Sequence, residues 1–269
     1  MKLPIYQVDA FTDRIFAGNP AAVMPLEKWL SDELLQHLAM ENNLSETAYF
    51  VSRDEGYELR WFAPAVEISL CGHATLASAH ILFENLDHQT DEILFYTRSG
   101  ELKVRRSEHG LTLDFPATEM TPAPVEGLVC EALGAVAIAA AIQVADPWMV
   151  IYEFASEQQV RELEPDFRAL LASSEYAIVA TAAAEQGDFV SRFFGPQLGI
   201  DEDPVTGSAH CCLTPYWAQK LGCTKLKARQ ISARGGNLAC ELGDGRVFMT
   251  GTAVTFMKGT VEIPGPQSI

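Results

Sequence analysis

Two stretches of the chain carry the same order of apolar and polar positions. In the first, apolar runs at 46–51 and 57–62 precede a long Ala- and Leu-rich run that starts at Gly72. In the second, two similar short runs precede a long apolar run that starts at Gly207. Short apolar or alternating runs predict strands, and a long apolar run predicts a buried helix. Each stretch therefore predicts two neighbouring strands and one central helix.

The two stretches also share three short motifs in the same order. In the first stretch they are Ser45-Glu46-Thr47-Ala48, Arg60-Trp61-Phe62-Ala63-Pro64 and Gly72-His73-Ala74. In the second stretch they are Ser174-Glu175-Tyr176-Ala177, Arg192-Phe193-Phe194-Gly195-Pro196 and Gly207-Ser208-Ala209. Recurrence in one order indicates a chain built twice from one unit. The prediction is an α+β fold of two pseudo-symmetric lobes, each a curved mixed or antiparallel sheet wrapped around a central helix.

Prolines and polar residues between Pro116 and Pro124 mark the expected boundary between the lobes. We place the N-terminal lobe at residues 1–118 and the C-terminal lobe at 119–269, with a last strand that is able to return to the first lobe. The active site is expected in the cleft between them, where both glycine-started helices point their first backbone N–H groups at one small volume. Further predicted elements are a helix from Ser31 or Asp32 to about Glu41, a single helix near 158–171, a strand near 230–233 and a strand over 247–261.

Length and composition narrow the class of protein. At 269 residues, with 48% hydrophobic and 20% charged residues, the chain fits a globular protein of two lobes. A formal charge of −17 without a basic cluster argues against nucleic acid as a partner. The N-terminus lacks the features of a signal peptide, and the most apolar stretch, 133–145, is too short to span a bilayer. A cytoplasmic protein without a membrane partner is expected.

Cysteine spacing gives no sign of a metal centre. The six cysteines form no Cys-x-x-Cys pair and have no histidine at the spacing of common zinc motifs. In a chain of this length, reduced and mostly buried thiols are the default. No metal site and no cofactor are therefore expected.

Glu46 is the first candidate for a catalytic group. It starts an apolar strand, and an apolar setting favours the protonated form of a carboxyl group, as a proton shuttle requires. A solvent-exposed strand-end Glu is the alternative, and Glu175 holds the matching place in the second stretch. Gly72 and His73 start the first central helix, so their N–H groups are candidates to bind a carboxylate or an enolate oxygen. His73 is a candidate to orient the substrate or relay a proton, with a structural cap as the alternative.

The acidic run 201–203 before the second central helix is the strongest local signal. The spacing from motif proline to helix glycine is 8 positions in the first stretch and 11 in the second, so the second copy carries three extra residues near this run. Such asymmetry in a duplicated fold indicates a division of roles. Asp203 is a candidate to bind a substrate hydroxyl or amine, with a purely structural helix cap as the alternative. Further N–H and hydroxyl donors are offered by Thr206, Gly207 and Ser208.

Five motifs together resemble the phenazine-biosynthesis isomerase (PhzF-like) family, and the resemblance covers nearly the whole chain. They are Gly18-Asn19-Pro20, Ser45-Glu46-Thr47-Ala48, Arg60-Trp61-Phe62-Ala63-Pro64, Cys71-Gly72-His73-Ala74-Thr75 and Asp203-Pro204-Val205-Thr206-Gly207-Ser208-Ala209. The resemblance implies a diaminopimelate epimerase-like fold and a homodimer without a cofactor. It implies Glu46 as the acid–base residue. The residues expected around the substrate are Asn19, Ser45, Gly72, His73, Asp203, Thr206, Gly207 and Ser208.

The predicted activity is that of an isomerase. Glu46 would move a proton between carbons of a small carboxylate-bearing substrate while two helix N-termini bind the anion. One alternative is a two-base epimerase or racemase of an amino or hydroxy acid, with Asp203 as a possible second group. Paired thiols are not predicted for it, because Cys71 precedes the first helix glycine and Thr206 precedes the second. The other alternative is a protein that binds a small carboxylate without catalysis.

Overall fold

The computed structural model describes residues 1–145 and 147–263, so the predictions for 264–269 lie outside the described residues. The chain divides into two compact units. The first unit comprises Met1–Asp114 and Thr250–Ile269, and the second comprises Phe115–Met249. The chain therefore passes from the first unit to the second between Asp114 and Phe115 and returns after Met249.

Strands dominate both units. In chain order the strands are β1 Lys2–Ala10, β2 Asn19–Leu26, β3 Glu46–Ser52, β4 Tyr57–Phe62, β5 Glu67–Ile68, β6 Glu92–Thr97, β7 Gly100–Ser107, β8 Gly110–Pro116, β9 Met120–Ala123, β10 Ala139–Gln143, β11 Met149–Glu153, β12 Ala177–Ala183, β13 Phe189–Gly195, β14 Ile200–Asp203, β15 Lys225–Gln230, β16 Gly236–Gly243, β17 Arg246–Gly251 and β18 Ala253–Glu262. The helices are α1 Asp32–Asn42, α2 Gly72–Asn85, α3 Gly127–Leu133, α4 Glu157–Arg161, α5 Phe167–Ser173 and α6 Gly207–Leu221.

The strand pairings of the first unit mix parallel and antiparallel neighbours. β1 pairs antiparallel with β2 and with the returning strand β18. β2 pairs parallel with β3, which pairs antiparallel with β4. β4 then pairs antiparallel with the short β5 and parallel with β6, and β6 pairs antiparallel with β7. Parallel neighbours need a crossover, and the helices α1 and α2 lie in the two crossovers of this unit.

The second unit repeats this order of pairings. β10 pairs antiparallel with β11, β11 parallel with β12, and β12 antiparallel with β13. β13 then pairs antiparallel with the short β14 and parallel with β15, and β15 pairs antiparallel with β16. The internal duplication predicted from the motifs is therefore present in the strand topology.

One long buried helix lies in each unit. Most residues of α2 are buried on every side, and α2 packs against β1, β2, β3 and β18. α6 is buried from Gly207 through Thr214 except at Ser208, and it packs against β9, β15 and β16. Alanine and glycine in both helices leave room for close approach of the strands. The α+β class and the central helices are confirmed.

The predicted helix near 158–171 is wrong as a single element. The chain forms α4 and α5 instead, separated by a segment that contains Pro165. Proline lacks the backbone N–H that an uninterrupted helix would use, and the carboxylate of Asp166 accepts hydrogen bonds from the N–H groups of Arg168 and Ala169 at 3.0 Å. Asp166 thereby starts α5 as a separate helix.

Two strand predictions near the end of the chain also need correction. The strand expected near 230–233 ends at Gln230, because the following residues turn and Ser232 Oγ accepts a hydrogen bond from the N–H of Gly235 at 3.1 Å. The single strand expected over 247–261 is divided at Thr252 into β17 and β18. At this break the carbonyl oxygen of Thr252 accepts a hydrogen bond from the N–H of Thr12.

Candidate active site

Glu46 is the first residue of β3 and only 8% of it is exposed. The parallel register of β2 and β3 places it opposite Ala21, close to the loop that leads into β2. The strand start therefore places a carboxylate in a buried setting, as the sequence predicts.

The helix α2 begins at Gly72 with Cys71 as its extended N-cap residue. The side chain of Cys71 makes no capping hydrogen bond, so it does not satisfy the N–H groups of the first turn. The start of α6 has the same character, because Thr206 is its N-cap residue and makes no side-chain cap either. Uncapped N–H groups and the helix dipole make such a position favourable for an anion.

His73 lies in the first turn of α2 and faces Glu46. Its Nε2 is 3.0 Å from Glu46 Oε2, within ion-pair distance. Its Nδ1 is 3.2 Å from Nδ2 of Asn19, and Ser45 Oγ donates a hydrogen bond to Oδ1 of Asn19 at 3.4 Å. Asn19 and Ser45 therefore hold the imidazole ring with one nitrogen directed at the Glu46 carboxylate.

The position of Asn19 depends on the preceding glycine. Gly18 has φ +65°, and a Cβ atom there would lie 2.2 Å from the carbonyl oxygen of Ala10. Only glycine accommodates this conformation and this approach. The Gly-Asn-Pro motif thus has a backbone role in addition to the role of its amide side chain.

Oε2 of Glu46 is buried and makes no well-aligned hydrogen bond to any described residue. The contact with His73 is close in distance, but its geometry is that of an ion pair rather than of an aligned hydrogen bond. A buried carboxylate oxygen without an aligned donor is costly unless it has a functional partner. This oxygen is therefore the candidate base.

The protonation of the neighbouring groups follows from burial and charge. Burial disfavours the charged imidazolium, but the negative charge of Cys71, when that thiol is ionised, and that of Glu46 outweigh burial and raise the pKa of His73 well above its ordinary value. Burial, and then the charge of Glu46, raise the pKa of the Cys71 thiol to about 11. Cys71 therefore remains a thiol near neutral pH, which argues against a thiolate base at this position.

The structure also brings together a group that sequence spacing does not indicate. Cys71 Sγ lies 3.5 Å from Nδ1 and 4.0 Å from Nε2 of His73. Glu46, Cys71 and His73 each offer one ligand atom, and these three atoms lie within 4.8 Å of one another. Motif rules miss this cluster, because Cys71 and His73 are too close in sequence for a common zinc motif and Glu46 belongs to another strand.

The start of α6 is built differently. Asp203 ends β14 and is buried, and Thr206 Oγ1 donates a short hydrogen bond to Oδ2 of Asp203. Gln230 at the end of β15 holds both residues: its Oε1 accepts from the N–H of Thr206 at 2.8 Å, and its Nε2 donates to the carbonyl oxygen of Asp203 at 2.7 Å. No sequence signal points to Gln230, because a glutamine at a strand end belongs to no motif. Gly207 is buried and Ser208 is half-buried in the first turn of α6.

The register locates the three extra residues of the second copy. Phe62 pairs with Glu67 in the first unit, and Phe194 pairs with Glu202 in the second. The first pair is five positions apart and the second is eight, so the extra residues lie in the turn around Pro196–Leu198, before the acidic run. Asp203 pairs with Phe193 in the second unit, and Ile68 pairs with Trp61 in the first, so Asp203 and Ile68 occupy equivalent positions. The difference between the copies at this position is therefore a substitution rather than an insertion.

Two other residues of the second stretch lie outside this group. Glu175, which matches Glu46 in the motif, is exposed and precedes β12. The register gives the place of Glu46 to Ala177 instead, because Phe62 pairs with Thr47 and Phe194 pairs with Ile178. His210 lies one turn into α6, and its Nδ1 is 2.8 Å from the carbonyl oxygen of Thr206. Burial lowers the pKa of His210 to about 4. His210 is therefore neutral near pH 7 and packed within the second unit.

Comparisons with known proteins agree with the fold and the motifs. The family model described as phenazine biosynthesis-like protein matches residues 8–259. A Pseudomonas aeruginosa protein named an uncharacterized isomerase is 49% identical over 263 residues, which are 98% of this chain and 100% of that protein. A crystal structure of a PhzF-family phenazine biosynthesis protein from Enterococcus faecalis is 44% identical, with a TM-score of 0.94 over 98% of this chain and 100% of that chain.

A more distant likeness extends to the fold alone. The crystal structure of a hydroxyproline epimerase from Agrobacterium vitis is 12% identical, with a TM-score of 0.64 over 99% of this chain and 94% of that chain. The chain thus shares its architecture with an epimerase. In the part of the chain that is described, no helix combines the length and the apolar character needed to cross a membrane.

Proposed function

The chain belongs to the phenazine biosynthesis-like family, and on that premise we propose that it is an isomerase in which Glu46 moves a proton between two carbons of one substrate. The observation that carries the proposal is the buried Glu46 carboxylate, whose Oε2 lacks an aligned hydrogen bond and lies beside His73 in the uncapped first turn of α2. The relatives named isomerases support the reaction class. The role of Glu46 and the substrate class are the proposal.

The substrate that fits this chemistry is a small carboxylate with an acidic C–H bond. Glu46 takes the proton of that bond, and the electron pair is delocalised toward the substrate carboxylate as an enolate-like anion. The N–H groups at the start of α2 stabilise the developing charge, a contribution of about 3–4 kcal/mol for each well-placed donor. Glu46 then returns the proton to another carbon of the same allylic system. Acid–base chemistry is sufficient for these two steps.

His73 and Asn19 are positioning residues in this scheme. The imidazole 3.0 Å from Glu46 can hold the carboxylate charge before the first transfer, and Asn19 keeps the ring in place through Nδ1. Asp203 and Thr206, held by Gln230 at the start of α6, are the proposed contacts for a substrate hydroxyl or amine. That both helix starts serve one substrate remains a prediction.

Proton NMR in heavy water tests the proposal. Small hydroxy- and amino-carboxylic acids, including unsaturated ones, are incubated with the protein and screened for solvent deuterium on carbon. Glu46→Gln keeps the size of the side chain and removes the base, so we expect exchange to fall by at least about 10²–10⁴-fold. Glu175→Gln is the matched control, because Glu175 occupies the same motif position and is exposed. Near-normal exchange in Glu46→Gln would refute the assignment.

The same experiment distinguishes the two alternatives. Deuterium at a new position together with a shifted double bond is the signature of the proposed isomerisation. Deuterium at a single stereocentre with inversion would identify an epimerase or racemase instead. A carboxylate that raises thermal stability without any exchange in the wild-type protein would identify a binding protein.

A further inference from the structure

Glu46, Cys71 and His73 form the tightest group of metal-ligand side chains in the described part of the first unit, and all three are buried. The thiol, the imidazole and the carboxylate each present one ligand atom, and those atoms lie within 4.8 Å of one another. They come from two elements, β3 and the start of α2, whose backbones are held by strand pairing and by helix packing. The group is therefore fixed by the fold rather than assembled from a mobile loop.

The spacing of these atoms suits a tetrahedral ion. Zinc binds sulfur at about 2.3 Å and nitrogen or oxygen at about 2.0–2.2 Å, so two of its ligand atoms lie about 3.3–3.6 Å apart. Here Nε2 of His73 is 3.0 Å from Oε2 of Glu46 and 4.0 Å from Sγ of Cys71. The ligand atoms of Cys71 and Glu46 lie within 4.8 Å of each other, so side-chain shifts of about 1 Å would bring all three atoms to coordination distance of one ion.

The second observation that points to a cation is the Glu46 oxygen Oε2, which has no aligned hydrogen-bond donor in the described part of the chain. Oε2 is buried, lacks an aligned hydrogen-bond donor among the described residues, and points toward His73. A divalent ion would satisfy this oxygen directly. One carboxylate and one thiolate would also balance the two positive charges of the ion, so the buried group would carry no net charge. Three protein ligands leave a fourth position for water, as in zinc sites with an open position.

We propose that Glu46, Cys71 and His73 form a zinc site. Binding replaces the thiol proton of Cys71 by a Zn–S bond and the Nε2 proton of the His73 imidazolium by a Zn–N bond, and both protons pass to solvent. The ion occupies the same Oε2 that acts as the base, so bound zinc and proton transfer exclude each other. Binding of the ion is independent of the proposed isomerase activity, whereas the inhibition rests on it.

Titration with zinc sulfate in the absence of substrate tests the binding. The full chain, freed of metal by chelation and desalting, is titrated in competition with a chromophoric chelator, and cobalt(II) replaces zinc for absorption spectroscopy. We expect one ion per chain and a near-ultraviolet thiolate-to-cobalt band. Loss of an outer-shell partner typically costs 10–100-fold in affinity, so Cys71→Ser and Glu46→Gln should each cost at least about 100-fold. Cys223→Ser, at a half-buried cysteine outside the group, should leave the affinity unchanged.

Several outcomes would overturn the proposal. Equal affinity in the wild-type chain and Cys71→Ser, a cobalt spectrum without the thiolate band, or loss of binding in Cys223→Ser would each place the ion elsewhere. The cobalt spectrum of the wild-type chain provides a test even if a variant folds poorly. Zinc that binds with the expected ligands to a chain without deuterium exchange would support the site while refuting the isomerase.

Discussion

Glu46 and Glu175 share a place in a repeated sequence motif but neither an environment nor a place in the fold. Glu46 is buried beside His73, whereas Glu175 is exposed before β12. The strand registers explain the difference, because they give the place of Glu46 to Ala177 and leave Glu175 two residues before it. At the scale of single residues, the position in the strand rather than the motif letter separates the proposed base from Glu175.

The buried His210 should make the stability of the protein depend on pH. Burial lowers its pKa from 6.5 to about 4, so as the pH falls below 6.5 the unfolded chain binds a proton that the native state does not. The contribution of His210 to stability is therefore complete above pH 6.5 and declines toward pH 4, by at most about 1.4 kcal/mol per pH unit. His210→Asn keeps a donor for the carbonyl oxygen of Thr206 and removes the titration.

Urea unfolding at about pH 7.5 and pH 5 measures this effect. The free energy of unfolding should fall between pH 7.5 and pH 5 in the wild-type chain, and this fall should be about 2 kcal/mol smaller in His210→Asn. His109→Asn is the control, because the side chain of His109 is 81% exposed. An identical pH dependence in the wild-type chain and in His210→Asn would contradict the prediction.

The two copies also repeat an ion pair between the middle strand and the short strand that follows it. Arg60 Nε and Nη2 donate to the two carboxylate oxygens of Glu67 at 2.7 and 2.8 Å. Arg192 donates in the same way to Glu202 at 2.7 and 2.9 Å. Bidentate pairs of this kind fix geometry as well as charge. The pair joins β4 to β5 and β13 to β14, and each short strand leads into a central helix.

Loss of either carboxylate should destabilise the protein measurably. Glu202→Gln removes the bidentate ion partner of the largely buried Arg192. Glu67→Gln removes that of Arg60, which keeps its ion pair with Asp32, and also removes the ion pair of Glu67 with Arg98. We expect each change to lower the free energy of unfolding by about 1–3 kcal/mol. Glu262→Gln is the control. The side chains of Lys2 and Glu262 are 73% and 71% exposed, so their ion pair should contribute less than about 1 kcal/mol to the free energy of unfolding. Denaturant unfolding of the three variants measures the difference. Equal losses in all three would show that burial does not decide the strength of these pairs.

At the scale of the whole chain, the first unit is completed by the last part of the sequence. β18 pairs with β1 from Lys2 to Ala10, and the N-terminal ammonium group of Met1 donates to the carbonyl oxygen of Ile263 at 2.6 Å. The second unit, Phe115–Met249, is thus a continuous segment placed between two parts of the first. Glu46 accordingly belongs to the first unit and Asp203 to the second.

A double-mutant cycle tests whether these two residues act on the same substrate. Glu46→Asp keeps a carboxylate and leaves measurable exchange, and Asp203→Asn removes the charge near the start of α6. If both side chains act on one substrate, the combined loss in kcat/KM should differ from the sum of the single losses by at least about 0.5 kcal/mol. Glu46→Asp combined with Glu175→Gln is the additive control. Additivity in the first pair would contradict a shared site.

The sequence by itself determined the plan of the molecule and most of the candidate residues. Apolar runs predict strands such as β3 and β13 and the helices α2 and α6. An element that is buried on one face has apolar residues at regular intervals, and one that is buried on all faces is apolar throughout. Apolar patterns are less reliable for interruptions within an element, such as the break between α4 and α5 near Pro165 and the break between β17 and β18 at Thr252. Repeated motifs revealed the duplication, since equivalent strands and helix starts keep equivalent residues.

Only the tertiary structure decided which residues contact one another. The contact of Glu46 with His73 and Cys71, and that of Gln230 with Asp203 and Thr206, join elements that are distant in sequence. Their strand registers and helix packing, which no local pattern records, bring these side chains together. The same is true of burial, which makes one glutamate of the repeated motif a candidate base and leaves the other in water.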